Sequence, residues 1–205
     1  MASDLFYALN KRKIRDFYRN FADLLANKDA LDIVVDDILE YSGVSRSTFY
    51  NYFNDINELY DDFIEYILKL VFEEAEKESI KTKSIFSTAF SIHEKGIKIL
   101  GNKKYEKVVW NLINVNNRII RTIFSQQMEQ YIFDLVDSFI INTVEGKKIN
   151  DISRIYTLVN SIACALQVSF ESFVCKKYDK SLTVCLFDFD YEIKMLQDGY
   201  KKKYN

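Results

Sequence analysis

A chain of 205 residues that contains no proline and only five glycines has few ways to turn sharply. Proline fixes φ and removes a backbone donor, glycine opens the left-handed region, and β-rich folds lean on both at their turns. Without that punctuation the chain reads as all-α, with long helices joined by short polar turns. Hydrophobic residues at 48% and charged residues at 28% suit a globular protein with a continuous core, in one large or two small domains.

No apolar run approaches the roughly 18 uncharged residues that a membrane span needs. The start "MASDLFYALNKRK" lacks the apolar centre of a signal peptide, so a cytoplasmic protein with no membrane partner is expected. Cys164, Cys175 and Cys185 are odd in number, widely spaced and set in apolar sequence, which reads as buried free thiols rather than disulfides or a metal knuckle. Net charge is -2, but residues 1 to 60 hold seven Lys/Arg against ten Asp/Glu. Within that acidic stretch "KRKIRDFYR" (11 to 19) carries five positive residues and one acid, a local basic arm.

Ile14, Phe17, Tyr18, Phe21, Leu24 and Leu25 recur at helical spacing and predict a first helix over about residues 10 to 26. Val35, Ile38 and Leu39 predict a short second helix, ended by Gly43 in a positive-φ conformation. Ser45 is placed to cap a third, "RSTFYNYF". Asp55 followed by Glu58 has capping-box spacing and opens a fourth helix reaching about Glu78, with Ile56, Leu59, Tyr60, Phe63, Ile67, Leu70 and Val71 on one stripe and Asp61, Asp62 and Glu65 opposite. Longer amphipathic segments follow at about 85 to 99, 104 to 116, 118 to 145, 152 to 177 and 182 to 201. In the last, "FDFDYEIKM" alternates as a strand would, while Phe189, Ile193 and Leu196 also make a helical stripe; a helix is predicted because a lone strand has no partner.

Two short helices around a tight glycine turn, braced by a first helix, are the helix-turn-helix plan. Phe49 and Phe53 give the third helix a packing edge. Arg46, Ser47, Thr48, Tyr50 and Asn51 fill the rest of its surface with groups suited to base edges and phosphates. The stretch "DILEYSGVSRSTFYNYFNDINEL" resembles the DNA-binding signature of the TetR family of bacterial transcriptional regulators, through Ile38, Ser42-Gly43, Val44-Ser45, Thr48, Tyr50, Phe53 and Leu59. That resemblance covers about residues 12 to 60.

The resemblance implies a three-helix DNA-binding domain at 1 to 60 and, at 61 to 205, a helical ligand-binding and dimerisation domain joined to it by a long fourth helix. It further implies a homodimer through the last two long helices, a palindromic double-stranded DNA operator, an unidentified small-molecule effector and, most often, repression. Carried over by position, Arg46, Ser47 and Tyr50 face bases, Thr48, Asn51 and Tyr52 hold phosphates, and Lys11, Arg12 and Lys13 flank the backbone. Two positions depart from the pattern. Ile56 stands where the family has a phosphate-binding lysine, and Val34 where a threonine caps the second helix, leaving Asp32 or Asp36 to serve.

Trp110, Asn114, Phe124, Gln127, Tyr131 and Phe170 mix aromatic and amide chemistry, which suits either a small-molecule pocket or an ordinary aromatic core. Glu73, Glu74, Glu76 and Glu78 read as a solvated helix face. His93 is the only histidine and has no nucleophile or metal cluster at a useful spacing, so neither an enzyme nor a cofactor is expected. A helical co-regulator working through a protein partner is the alternative, motivated by the acidic first sixty residues and by Ile56.

Overall fold

The computed structural model describes residues 2–82, 84–115, 143–144, 147–148, 151–177 and 188–204. The fold is all-α with an N-terminal helix-turn-helix. In chain order the helices are α1 (Asp4–Tyr7), α2 (Lys11–Asn27), a 3-10 turn (Ala30–Asp32), α3 (Val35–Ser42), α4 (Arg46–Tyr52), α5 (Ile56–Thr82), α6 (Ile85–Leu100), α7 (Lys103–Val115), α8 (Ile152–Lys177) and α9 (Phe189–Tyr204). Thr143–Val144 pairs antiparallel with Lys147–Lys148. The helix predicted over 118 to 145 therefore does not extend through Thr143 and Val144, whose β-branched side chains favour the extended backbone; the rest of that segment lies outside the described residues. Phe189 begins a helix, with the Asp188 carboxylate accepting from Tyr191 N–H at 3.1 Å, which settles the ambiguous alternation. Among the described residues no helix is long and apolar enough to cross a membrane.

The chain divides into two compact units, Met1–Leu68 with Asn102–Phe124, and Lys69–Gly101 with Ser125–Asn205. In the first, Phe6, Phe17, Tyr18, Phe21, Phe49, Phe53 and Phe63 form an aromatic core. Ring centroids of Phe6 lie 5.4 Å from Phe17 and 4.9 Å from Phe53. Phe6 belongs to α1, a four-residue helix without enough length to show periodicity in the sequence.

Asp62 lies at the heart of this unit, not on the solvated face predicted for it, and is only 1% exposed. Its carboxylate accepts from the Tyr7 hydroxyl at 2.5 Å, from the Tyr18 hydroxyl, and from Ala2 N–H at 3.0 Å. The tyrosines supply what a buried carboxylate needs, and that is why α5 can turn an acid inward. Burial first, then the bond to Asp62, pushes both phenols well above their usual pKa, so they remain donors. Leu70 and Val71, expected on the buried stripe, are instead exposed; the apolar face of α5 closes at Leu68, and the next buried residues are Glu78 and Ser79. Asn111 on α7 completes the unit by donating its amide to the Leu25 and Lys28 carbonyls, at 2.5 and 3.0 Å, at the end of α2.

In the second unit α6, α8 and α9 bury Phe86, Ile92, Ile155, Ile162, Phe189 and Ile193. Gly96 lies directly beneath the Phe170 ring, where a Cβ would come within 2.3 Å of its Cζ. Glu78 is a further correction. It is buried rather than solvated, accepts from Ser91 Oγ at 2.7 Å and pairs with Lys95 at 2.6 Å. Cys164 is exposed on α8, against the expectation of a buried thiol, because it falls on the same turn-to-turn edge as Thr157 and Asn160.

His93 is half-buried in this unit. Its ring stacks on Phe189 with centroids 3.9 Å apart, and its Nε2 lies 2.8 Å from the Ser169 hydroxyl. Burial lowers its pKa, with Asp190 opposing. Glu78 is drawn down to about 2, chiefly by its bonds to Lys95 and Ser91.

Asp62→Ala strands the buried Tyr18 hydroxyl and Ala2 N–H and is expected to cost roughly 3 kcal/mol by urea denaturation, against about 1 kcal/mol for Tyr18→Phe. Because both His93 and Glu78 titrate lower in the folded state, their contributions are complete above the unfolded values of 6.5 and 4.5 and are lost on acidification. Stability should therefore begin to fall below pH 6.5, and His93→Gln should remove that upper leg while leaving the one below pH 4.5.

Candidate nucleic-acid interface

The turn between α3 and α4 is built by three residues with distinct tasks. Gly43 takes φ 71° and donates its N–H to the Leu39 carbonyl at 2.9 Å, ending α3 in the left-handed conformation. Ser42 Oγ donates to the Ile38 carbonyl at 2.6 Å. Ser45 then starts α4 by accepting from Thr48 N–H at 3.1 Å, and its hydroxyl also meets those of Ser47 and Thr48.

α4 has two faces. Phe49 and Phe53 are buried and fix the helix to the core, whereas Arg46, Ser47, Tyr50 and Asn51 are exposed. Thr48 and Tyr52 are half-buried, the latter with its ring against Phe6 at 5.3 Å. Six of the nine positions expected to meet DNA thus lie on one seven-residue helix, and the four most exposed make up its outer side. Lys11, Arg12 and Lys13 form the exposed first turn of α2, which Asn10 caps through Lys13 N–H at 2.9 Å.

Sequence reasoning missed the element that holds the far end of α4. Ser3, just ahead of α1, donates its hydroxyl to the Asn51 carbonyl at 2.6 Å and its N–H to the Tyr52 carbonyl at 2.9 Å. Two carbonyls that would otherwise end α4 unpaired are thereby satisfied. A serine followed by acidic Asp4 was the one available signal, since Ser3 also caps α1.

The helix starts flanking the turn also depart from expectation. Neither Asp32 nor Asp36 replaces the missing threonine cap at Val34. Asp37 supplies only the reciprocal half of a capping box, accepting from Val34 N–H at 2.8 Å and pairing with Lys28 at 2.6 Å, while valine offers no side-chain acceptor to the first turn of α3. Lys28 and then that backbone bond hold the Asp37 carboxyl below its usual range. Asp36 instead pairs with Arg46. At α5, Asp55 accepts from Glu58 N–H at 2.9 Å, while Glu58 reaches to Asn54 N–H, one residue before the expected capping-box partner. Ile56 is half-buried beside them.

Of the residues read as pocket lining or core, Trp110 is half-buried on α7 in the first unit and Phe170 half-buried on α8 in the second, its ring parallel to His93 at 5.9 Å. Asn114 lies on α7 with its side chain outside the described set, as are Phe124, Gln127 and Tyr131 entirely. Among the described residues no group of His, Cys, Asp or Glu could hold a metal ion.

No family model matches the chain, and no curated protein matches it significantly. A solved structure described as a TetR family transcriptional regulator from Chloroflexus aurantiacus J-10-FL is similar over 97% of this chain and 98% of its own, at 17% identity and a TM-score of 0.40. A likeness that loose assigns neither family nor role, and the site rests on its own geometry.

Nothing lies within 4 Å of a Cβ added at Gly43, so substitution there strains the backbone alone. Gly43→Ala is expected to lose about 1 kcal/mol by urea denaturation, and Gly43→Asn roughly half of that, since asparagine tolerates the left-handed region better.

Proposed function

We propose that the protein is a sequence-specific, double-stranded DNA-binding transcriptional regulator. The observation that carries this reading is the outer side of α4, where Arg46, Ser47, Tyr50 and Asn51 are exposed on a helix anchored by Phe49 and Phe53 after a three-residue turn. A helix of this kind fits a major groove about 12 Å wide, with arginine on guanine and the hydroxyl and amide groups on phosphates or single base edges. Thr48 and Tyr52 at its margins and Lys11, Arg12 and Lys13 on α2 would hold the backbone.

In this reading residues 1 to 60 are the reading domain and 61 to 205 the dimerisation and effector domain. A two-fold homodimer through α8 and α9 matches a palindromic operator; the exposure of Tyr191 and Met195 on α9 supports that assignment. The effector is a small molecule bound by the helical domain. By binding better to the conformation with misplaced reading heads, it releases DNA and lifts repression. The protein would act in the cytoplasm, without catalysis and without a cofactor.

The test is selection of randomised duplexes by the purified protein at low salt, repeated with Arg46→Ala. A palindromic motif that relaxes at one position per half-site in the variant is the expected result. No enrichment by folded, dimeric protein would overturn the reading and favour a co-regulator that acts through a protein partner.

A further inference from the structure

We infer that Asp36 is a specificity-determining residue of the α4 reading surface, one that orients the Arg46 guanidinium for a guanine. The inference rests on the DNA-reading proposal above.

Arg46 is the first residue of α4, where the positive end of the helix dipole disfavours a cation, and the first turn of α4 contains no acid to offset it. The compensating charge comes from the neighbouring helix. Asp36 sits in the first turn of α3, a place that favours a carboxylate, and its Oδ1 accepts from Arg46 Nη2. Both side chains are open to water, at 56% and 71% exposure, so the pair adds little to folding. What it does change is direction. An arginine with several free torsions is held on the α3 side of the reading surface before any DNA arrives, and the entropy lost on docking is correspondingly smaller.

Donor geometry allows the pair and a base contact together. A guanidinium has two parallel donor pairs, Nε with Nη2 and Nη1 with Nη2. Asp36 takes one Nη2 proton. Whichever one it takes, the other donor pair stays whole, and that is what the O6 and N7 acceptors of guanine require. Among the described residues Nε and Nη1 have no other acceptor. Held this way, Asp36 also approaches DNA as half of a neutral pair and not as a bare carboxylate facing phosphates.

The experiment uses the selected operator duplex and versions in which the guanine read by Arg46 is replaced. Affinities are measured by fluorescence anisotropy for the wild-type protein, Asp36→Ala, Arg46→Ala and the double variant. Asp36→Ala, an exposed change that leaves the core intact, is expected to keep the palindrome but reduce guanine preference at that position about tenfold. In the Arg46→Ala background it should cause no further loss. Uniformly tighter binding by Asp36→Ala with guanine preference intact would show that Asp36 only repels DNA, and unchanged binding would show that it does nothing; either overturns the inference and leaves the DNA reader standing. Failure of the folded wild-type protein to select any duplex removes both.

Discussion

The buried Asp62 carboxylate is the contact on which the N-terminal unit depends. A charge in an apolar interior is tolerable only when its lone pairs are met, and here three donors meet them, from Ala2, Tyr7 and Tyr18. Those donors come from the chain start, from α1 and from α2, while Asp62 belongs to α5. A single side chain thus ties four stretches of backbone together. The consequence reaches α4, because the same N-terminal segment positions Ser3 against the Asn51 and Tyr52 carbonyls. The orientation of the outer residues of α4 is therefore set from both ends, by Ser45 at its start and by Ser3 at its finish.

What was legible in the sequence was whatever depends on neighbours along the chain. The stripe from Phe17 to Leu25, the glycine stop at Gly43, the Ser45 cap and the amphipathic outline of α8 are decided within a turn or two, and local pattern states them directly. What was illegible depends on residues far apart. Asp62 meets Tyr18 across 44 positions, and Asn111 meets Leu25 across 86, so no periodicity could mark Asp62 as buried or Asn111 as a cap. Glu78 was misread for the same reason, since Lys95 and Ser91 come from another helix. In the candidate site, the polar outer side of α4 was visible residue by residue, but the segment that holds its end was not: α1 spans a single turn.

The acidic balance of the first sixty residues is at odds with a polyanionic partner only while charge is treated as a sum. Most of those acids are committed locally. Asp16 pairs with Arg12 and Arg19, Asp23 with Lys104, Asp36 with Arg46 and Asp37 with Lys28. Asp29 and Asp55 cap helix starts, and Glu58 accepts from Asn54 N–H. Lys11, Lys13 and Arg15, by contrast, are exposed and form no ion pair among the described residues. At physiological salt, charges more than about 8 Å apart are largely screened from one another. A phosphate at the start of α2 therefore meets the local lysines and arginine, not the net charge of the domain, and a polyanion can be attracted to one edge of an acidic unit.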